Sequence, residues 1–261
     1  MPLALATLLP SAGLAQNLDD VIQAELRPGW RLADGSHMAA LHLTLAPGWK
    51  TYWRAPGDAG IPPQFEWQAE RGTRAIDIHW PTPDVFHQSG MRSVGYHDQV
   101  VLPLRIDLGR NTGDASLSGT IDLGICKDIC LPYEVQVSAT LPSDITRPDP
   151  TIAAALADEP FGAADAGVKS VACKVSLKDG AVTLRAAIAM PRGTGREETV
   201  IETADPQVWV AEPRTWWEGG RLMAETRMAH AEADVFALDR SGVRITVLGG
   251  RMPVDIRGCD S

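Results

Sequence analysis

No apolar run approaches the roughly 18 residues that a membrane-spanning helix needs, so the mature chain is expected to have no transmembrane segment. Basic residues are in the minority. The 24 Lys plus Arg stand against 33 Asp plus Glu, a net charge of −9. Nucleic-acid binding wants a basic face, and that class is set aside. Cysteine is scarce, with four in 261 residues, which excludes a miniprotein held together by disulfides alone. No Gly-rich phosphate loop, nucleophile elbow or paired-carboxylate motif occurs, and no cofactor is expected.

What is present is a 44% hydrophobic composition, too high for a disordered chain, written mostly with a period of two. Leu41, Leu43 and Leu45 alternate with polar or small residues, as do Ile76, Ile78 and Trp80. Leu102 to Leu108, Leu117 to Ile125 and Val135 to Leu141 continue the alternation. After a break it resumes at Val171, Cys173, Val175 and Leu177, then at Val182 to Ile188, Val208 and Val210, and Val243 to Val247. With 24 Gly and 19 Pro to make turns, this reads as all-β, in antiparallel sandwiches.

The break divides the chain. Residues 142–167 hold the Pro-rich PSDITRPDP, a short helix-compatible TIAAALADEPF and a small-residue GAADAG, with the linker itself placed at 142–165. Proline cannot continue a sheet interior, so this stretch reads as a linker. Two β domains are expected, 16–141 and 166–261. Residues 1–15, MPLALATLLPSAGLA, resemble the apolar core and small-residue cleavage site of a secretory signal, without a basic start. Export would place the mature protein where disulfides persist.

Four cysteines allow three pairings. Pairing Cys126 with Cys130 and Cys173 with Cys259 keeps each bridge inside one expected domain. The chain-entropy account gives about 4.6 kcal/mol for a loop of roughly 87 residues and about 2 kcal/mol for one of roughly 5. Cys173–Cys259 therefore reads as structural, tying the C-terminus to a core strand. The tight GICKDICLPYE loop adds little stability, which leaves three readings: a reactive redox pair, a staple or a metal site. Lys127 would favour a thiolate there and Asp128 oppose it, and Pro132 is expected to stop regular structure.

Three segments carry a resemblance. GICKDICLPYEVQV is similar to the cysteine segment of the N-terminal periplasmic domain of DsbD-type thiol:disulfide interchange proteins, and most similar to the ScsB (suppressor of copper sensitivity) branch. PGWKTYWRAPGDAGIPPQFEW and WPTPDVFHQSGMRSVGYHDQVVLPLRI resemble two further blocks of that family, in the family's order. The resemblance implies an immunoglobulin-like sandwich carrying a catalytic pair, with Cys130 attacking a substrate disulfide and Cys126 resolving the mixed disulfide. It also implies a periplasmic location. Electrons would come from a thioredoxin-like or DsbD/ScsB-type membrane redox protein and pass to periplasmic proteins bearing disulfides. The family's membrane channel and thioredoxin-like domain have no counterpart here, so separate partners are expected. The family covers its cysteines with a Phe-bearing loop; Met91 and Tyr96 are the available covers here.

Two rival functions accompany this reading. One is a periplasmic copper-tolerance protein holding Cu(I) on Cys126 and Cys130. The other is a sandwich that only docks a partner. His79, His87 and His97 cluster in sequence but match no tight metal motif. Trp30, Trp49, Trp53, Trp67 and Trp80 are expected mainly in the core, with Trp49 and Trp53 as alternative docking residues.

Overall fold

The computed structural model describes residues 20–88, 90–110, 112–178, 181–233 and 236–260; the expected signal segment 1–15 lies outside them. Ten strands make up the first half: β1 Ile22–Arg31, β2 His37–Leu45, β3 Lys50–Tyr52, β4 Gln64–Ala69, β5 Ala75–Ile78, β6 Asp84–Gln88, β7 Met91–His97, β8 Gln99–Asp107, β9 Ala115–Cys126 and β10 Cys130–Leu141. One sheet runs β1-β2-β8-β5 and the other β10-β9-β3-β7-β6, with β4 also on β9. All these pairings are antiparallel. The alternation in the sequence is the cause. Leu41, Leu43, Leu102, Leu104, Leu117, Ile121 and Leu123 all turn inward and are almost fully buried in one core.

An α-helix follows, α1 Pro150–Ala157. Asp149 caps it by accepting from the Thr151 and Ile152 amides, and Pro150 stands in its first turn. The linker is docked rather than free. Ile152 is fully buried against Trp30, Met38 and Ala40. The Thr82 hydroxyl donates to the Asp158 carbonyl at 2.6 Å.

The second half has nine strands: β11 Phe161–Gly162, β12 Ser170–Lys178, β13 Ala181–Ala189, β14 Glu198–Glu202, β15 Val208–Val210, β16 Arg214–Glu218, β17 Arg221–His230, β18 Arg244–Leu248 and β19 Val254–Arg257. Its sheets run β11-β19-β18-β14 and β12-β13-β17-β15, with β16 also on β17, and enclose a second core. The chain is therefore all-β in two tandem sandwiches, antiparallel except for the short parallel pairing of β11 with β19. Cys173 and Cys259 form a disulfide with Cα atoms 5.6 Å apart, and Asp260 bridges to Ala172 beside it.

The two sandwiches share an interface. Val200 and Leu248 of the second pack into the core of the first. Arg54 grips both carboxylate oxygens of Glu202, at 3.0 and 2.9 Å. Such two-pronged contacts fix orientation as well as adding energy.

Candidate redox site

Cys126 ends β9 and Cys130 begins β10, so the two cysteines are the last facing pair of one hairpin. They are disulfide-bonded, with Cα atoms 4.1 Å apart. The hairpin continues through Pro132, which pairs with Gly124. The expectation that Pro132 stops regular structure is thus corrected. β10 is an edge strand, and an edge tolerates a residue without an N–H.

The two sulfurs differ in access. Cys126 is only 3% exposed, whereas Cys130 lies at the exposed start of its strand. Ile129 beside it is 69% exposed. A shallow cleft of about 100 Å³ joins both cysteines to Lys50, Tyr52, Ala59, Gln88, Met91 and Ser93.

Sheet geometry decides who enters this cleft. Lys50 faces Cys126 across the β3–β9 pairing, and Tyr52 lies two residues on, on the same face. The Tyr52 hydroxyl is 3.0 Å from the Cys130 sulfur and also donates to the Ala59 carbonyl at 3.3 Å. Burial raises the Tyr52 pKa, so the phenol keeps its proton at neutral pH. Gly124 makes room for the ring, because a Cβ there would stand 2.7 Å from Tyr52 Cδ2. Lys50 donates to the Ser93 hydroxyl at 3.2 Å and to Gln88 Oε1 at 3.3 Å. Its ammonium sits 4.9 Å from the Phe86 ring centre, and burial lowers its pKa. A buried cation beside a cysteine favours the thiolate and makes it a better leaving group.

Lys127, the cation expected from sequence, turns away toward the Pro47 carbonyl, 3.5 Å from its Nζ. Of the two expected covers, Met91 lines the cleft and is 58% exposed. Tyr96 does not reach it. Tyr96 pairs with Thr51, which pairs with Ile125, and so faces the core, where its hydroxyl donates to the Pro81 carbonyl at 2.8 Å. The alternation that puts Lys50 and Cys126 on one face puts Tyr96 on the other.

Trp49 and Trp53 are buried at 9% and 0% exposure, which places them in the core rather than on a docking face. The three clustered histidines part company. His79 meets Glu159, His87 meets Glu198, and His97 meets Asp84 and Asp98. Among the described residues no group of three or more His, Cys, Asp or Glu is placed to hold a metal ion.

Fold and site together define an immunoglobulin-like sandwich with a disulfide at a hairpin tip, one sulfur open and one covered. Residues 19–142 match the family described as thiol:disulfide interchange protein DsbD, N-terminal, and form a DsbD/ScsB N-terminal-like domain. The fold is similar to that of the N-terminal periplasmic domain of ScsB from Proteus mirabilis, with a TM-score of 0.65 and 21% identity over 92% of each chain. The N-terminal domain of DsbD from Neisseria meningitidis, in its reduced form, is more distant. It has a TM-score of 0.31 and 11% identity, covering 49% of this chain and 90% of that one. No curated protein matches the chain in sequence. No helix among the described residues is long and apolar enough to cross a membrane.

Proposed function

We propose that the chain is a periplasmic thiol–disulfide interchange protein that works through Cys126 and Cys130. The observation that carries this reading is the asymmetry of the pair, with Cys130 exposed and Cys126 buried beside Lys50. In the reduced form the Cys130 thiolate attacks a disulfide of an oxidised protein. One substrate sulfur leaves as a thiolate and takes a proton, and the other is held in a mixed disulfide. The Cys126 thiolate then attacks Cys130, re-forming the observed bridge and releasing the second substrate thiol. Two electrons pass to the substrate, which ends as a dithiol. A thioredoxin-like dithiol donor, in trans, attacks the exposed Cys130 sulfur with one thiolate, and its second thiolate then displaces Cys130, so that the donor ends as a disulfide and the pair as two thiols. Cys126 leaves in the first of these attacks, next to the Lys50 ammonium.

Single cysteine variants test the order of events. With an oxidised protein substrate, Cys126→Ser accumulates a mixed disulfide on Cys130, and Cys130→Ser forms none. Equal trapping by both variants, or by neither, contradicts the scheme.

A further inference from the structure

The β6–β7 hairpin has two working faces. In its register Phe86 pairs with Ser93 and Gln88 with Met91, while His87 pairs with Arg92. The first set faces the cysteines. Gln88, Met91 and Ser93 line the cleft, and Phe86, Gln88 and Ser93 hold the Lys50 ammonium. Gln88 also reaches across the site, donating to the Lys127 carbonyl at 3.2 Å. The opposite face meets carboxylates of the second sandwich, Glu198 at both strands of the hairpin and Glu212 at Arg92 alone, 3.6 Å from its Nε. His87 Nε2 lies 3.4 Å from Glu198 Oε1, and Arg92 Nη1 lies 3.2 Å from Glu198 Oε2. Arg92, only 5% exposed, also donates to the Thr199 carbonyl at 3.1 Å. Glu198 thus joins both strands of the hairpin at once.

The opposite wall of the cleft is tied to the same sandwich. Ala59 belongs to the loop between β3 and β4, and Asp58 beside it accepts the Trp209 indole N–H at 3.2 Å. The Val94 amide donates to the Pro56 carbonyl at 3.0 Å, which links the two walls to each other.

We infer that the second sandwich braces the redox cleft, with Glu198 as the positioning residue that holds the β6–β7 hairpin over Cys126. The brace keeps Cys126 inaccessible to outside reagents while Cys130 stays open, so partners meet only one sulfur. This inference rests on the interchange reading and gives the second sandwich a part in it. Glu198 is half-buried, and an ion pair of that kind shifts a local opening equilibrium by a few-fold.

The test uses the full chain, reduced with dithiothreitol and pulsed with iodoacetamide, with the Cys126 and Cys130 peptides quantified by mass spectrometry. The wild type is expected to modify Cys130 first. Glu198→Ala raises the Cys126-to-Cys130 ratio by about five-fold, the effect of losing one such pair. Glu198→Gln, which still offers Arg92 an acceptor, stays near wild type. Amide hydrogen exchange in the oxidised protein rises over residues 84–97 in Glu198→Ala and not over β9 or β10. An unchanged ratio, or unchanged hairpin exchange, overturns the brace. If Glu198→Ala does not fold, the exposed His87→Ala is expected to move both readouts the same way, less strongly, and no movement overturns the inference. A wild-type bridge that dithiothreitol does not open refutes the interchange reading instead, and hydrogen exchange then decides the brace alone.

Discussion

The Tyr52 hydroxyl lies 3.0 Å from the Cys130 sulfur, from a strand that the cysteine segment does not adjoin in sequence. Because burial keeps Tyr52 protonated, it can donate to Cys130 when that residue is a thiolate. Tyr52→Phe is expected to slow Cys130 alkylation at neutral pH by about five-fold, the worth of one modest hydrogen bond. The midpoint of the pH–rate curve moves upward with it. A midpoint that stays in place contradicts the contact.

Gly124 is expected to act through the same ring. An added Cβ would meet Tyr52 Cδ2 at 2.7 Å and Ile61 Cβ at 2.8 Å. Gly124→Ala therefore pushes Tyr52 away and slows alkylation as Tyr52→Phe does. The double variant is no slower than either single one, since both remove one interaction. Additive losses would show that Gly124 acts by another route.

The two bridges are expected to divide stability unequally. Cys173 and Cys259 are 86 residues apart, and the chain-entropy model assigns their loop about 4.6 kcal/mol. Cys126 and Cys130 are four apart, and the same model gives about 2 kcal/mol. In urea unfolding, Cys173→Ser/Cys259→Ser loses more free energy than Cys126→Ser/Cys130→Ser. Equal losses contradict the assignment of one structural and one working pair.

His37 is expected to make folding sensitive to mild acid. Its ring is fully buried; Nε2 bonds the Pro28 carbonyl, and Nδ1 has no partner. Burial lowers its pKa, so below about pH 6.5 the unfolded chain binds a proton that the native ring refuses. Stability is thus present above that pH and falls as the pH drops below it. His97, whose pKa is raised chiefly by its hydrogen bond to Asp98, acts in the opposite sense, but equally in wild type and variant. Comparing unfolding at pH 5 and 7, His37→Gln is expected to lose less stability on acidification than wild type. An equal loss in both removes His37 as the cause.

The long strands were legible because burial on one face writes itself as alternation: β8 and β9 follow from Leu102–Leu108 and Leu117–Ile125. The two-turn helix at 150–157 was legible from composition as well. Short β3 and the β6–β7 hairpin were not, since three to seven mixed residues carry too little pattern. The cysteine pair could be found from spacing and from family likeness. Its electrostatic partner could not. Choosing Lys50 over Lys127, or Tyr52 over Tyr96, requires the register of β3 against both β9 and β7, which is set by tertiary pairing. Glu198 was invisible for the same reason, being more than 100 residues from the hairpin it joins, 106 from Arg92.

The most direct test of the account is the reduction potential of the Cys126–Cys130 pair, by glutathione or dithiothreitol titration with mass-spectrometric thiol counting. Cys173–Cys259 serves as the internal reference. The account predicts that two thiols, Cys126 and Cys130, appear at a potential well above about −300 mV while the second bridge stays closed. Two bridges that both resist reduction to that value would contradict it, and the chain would then be a binding module rather than an electron carrier.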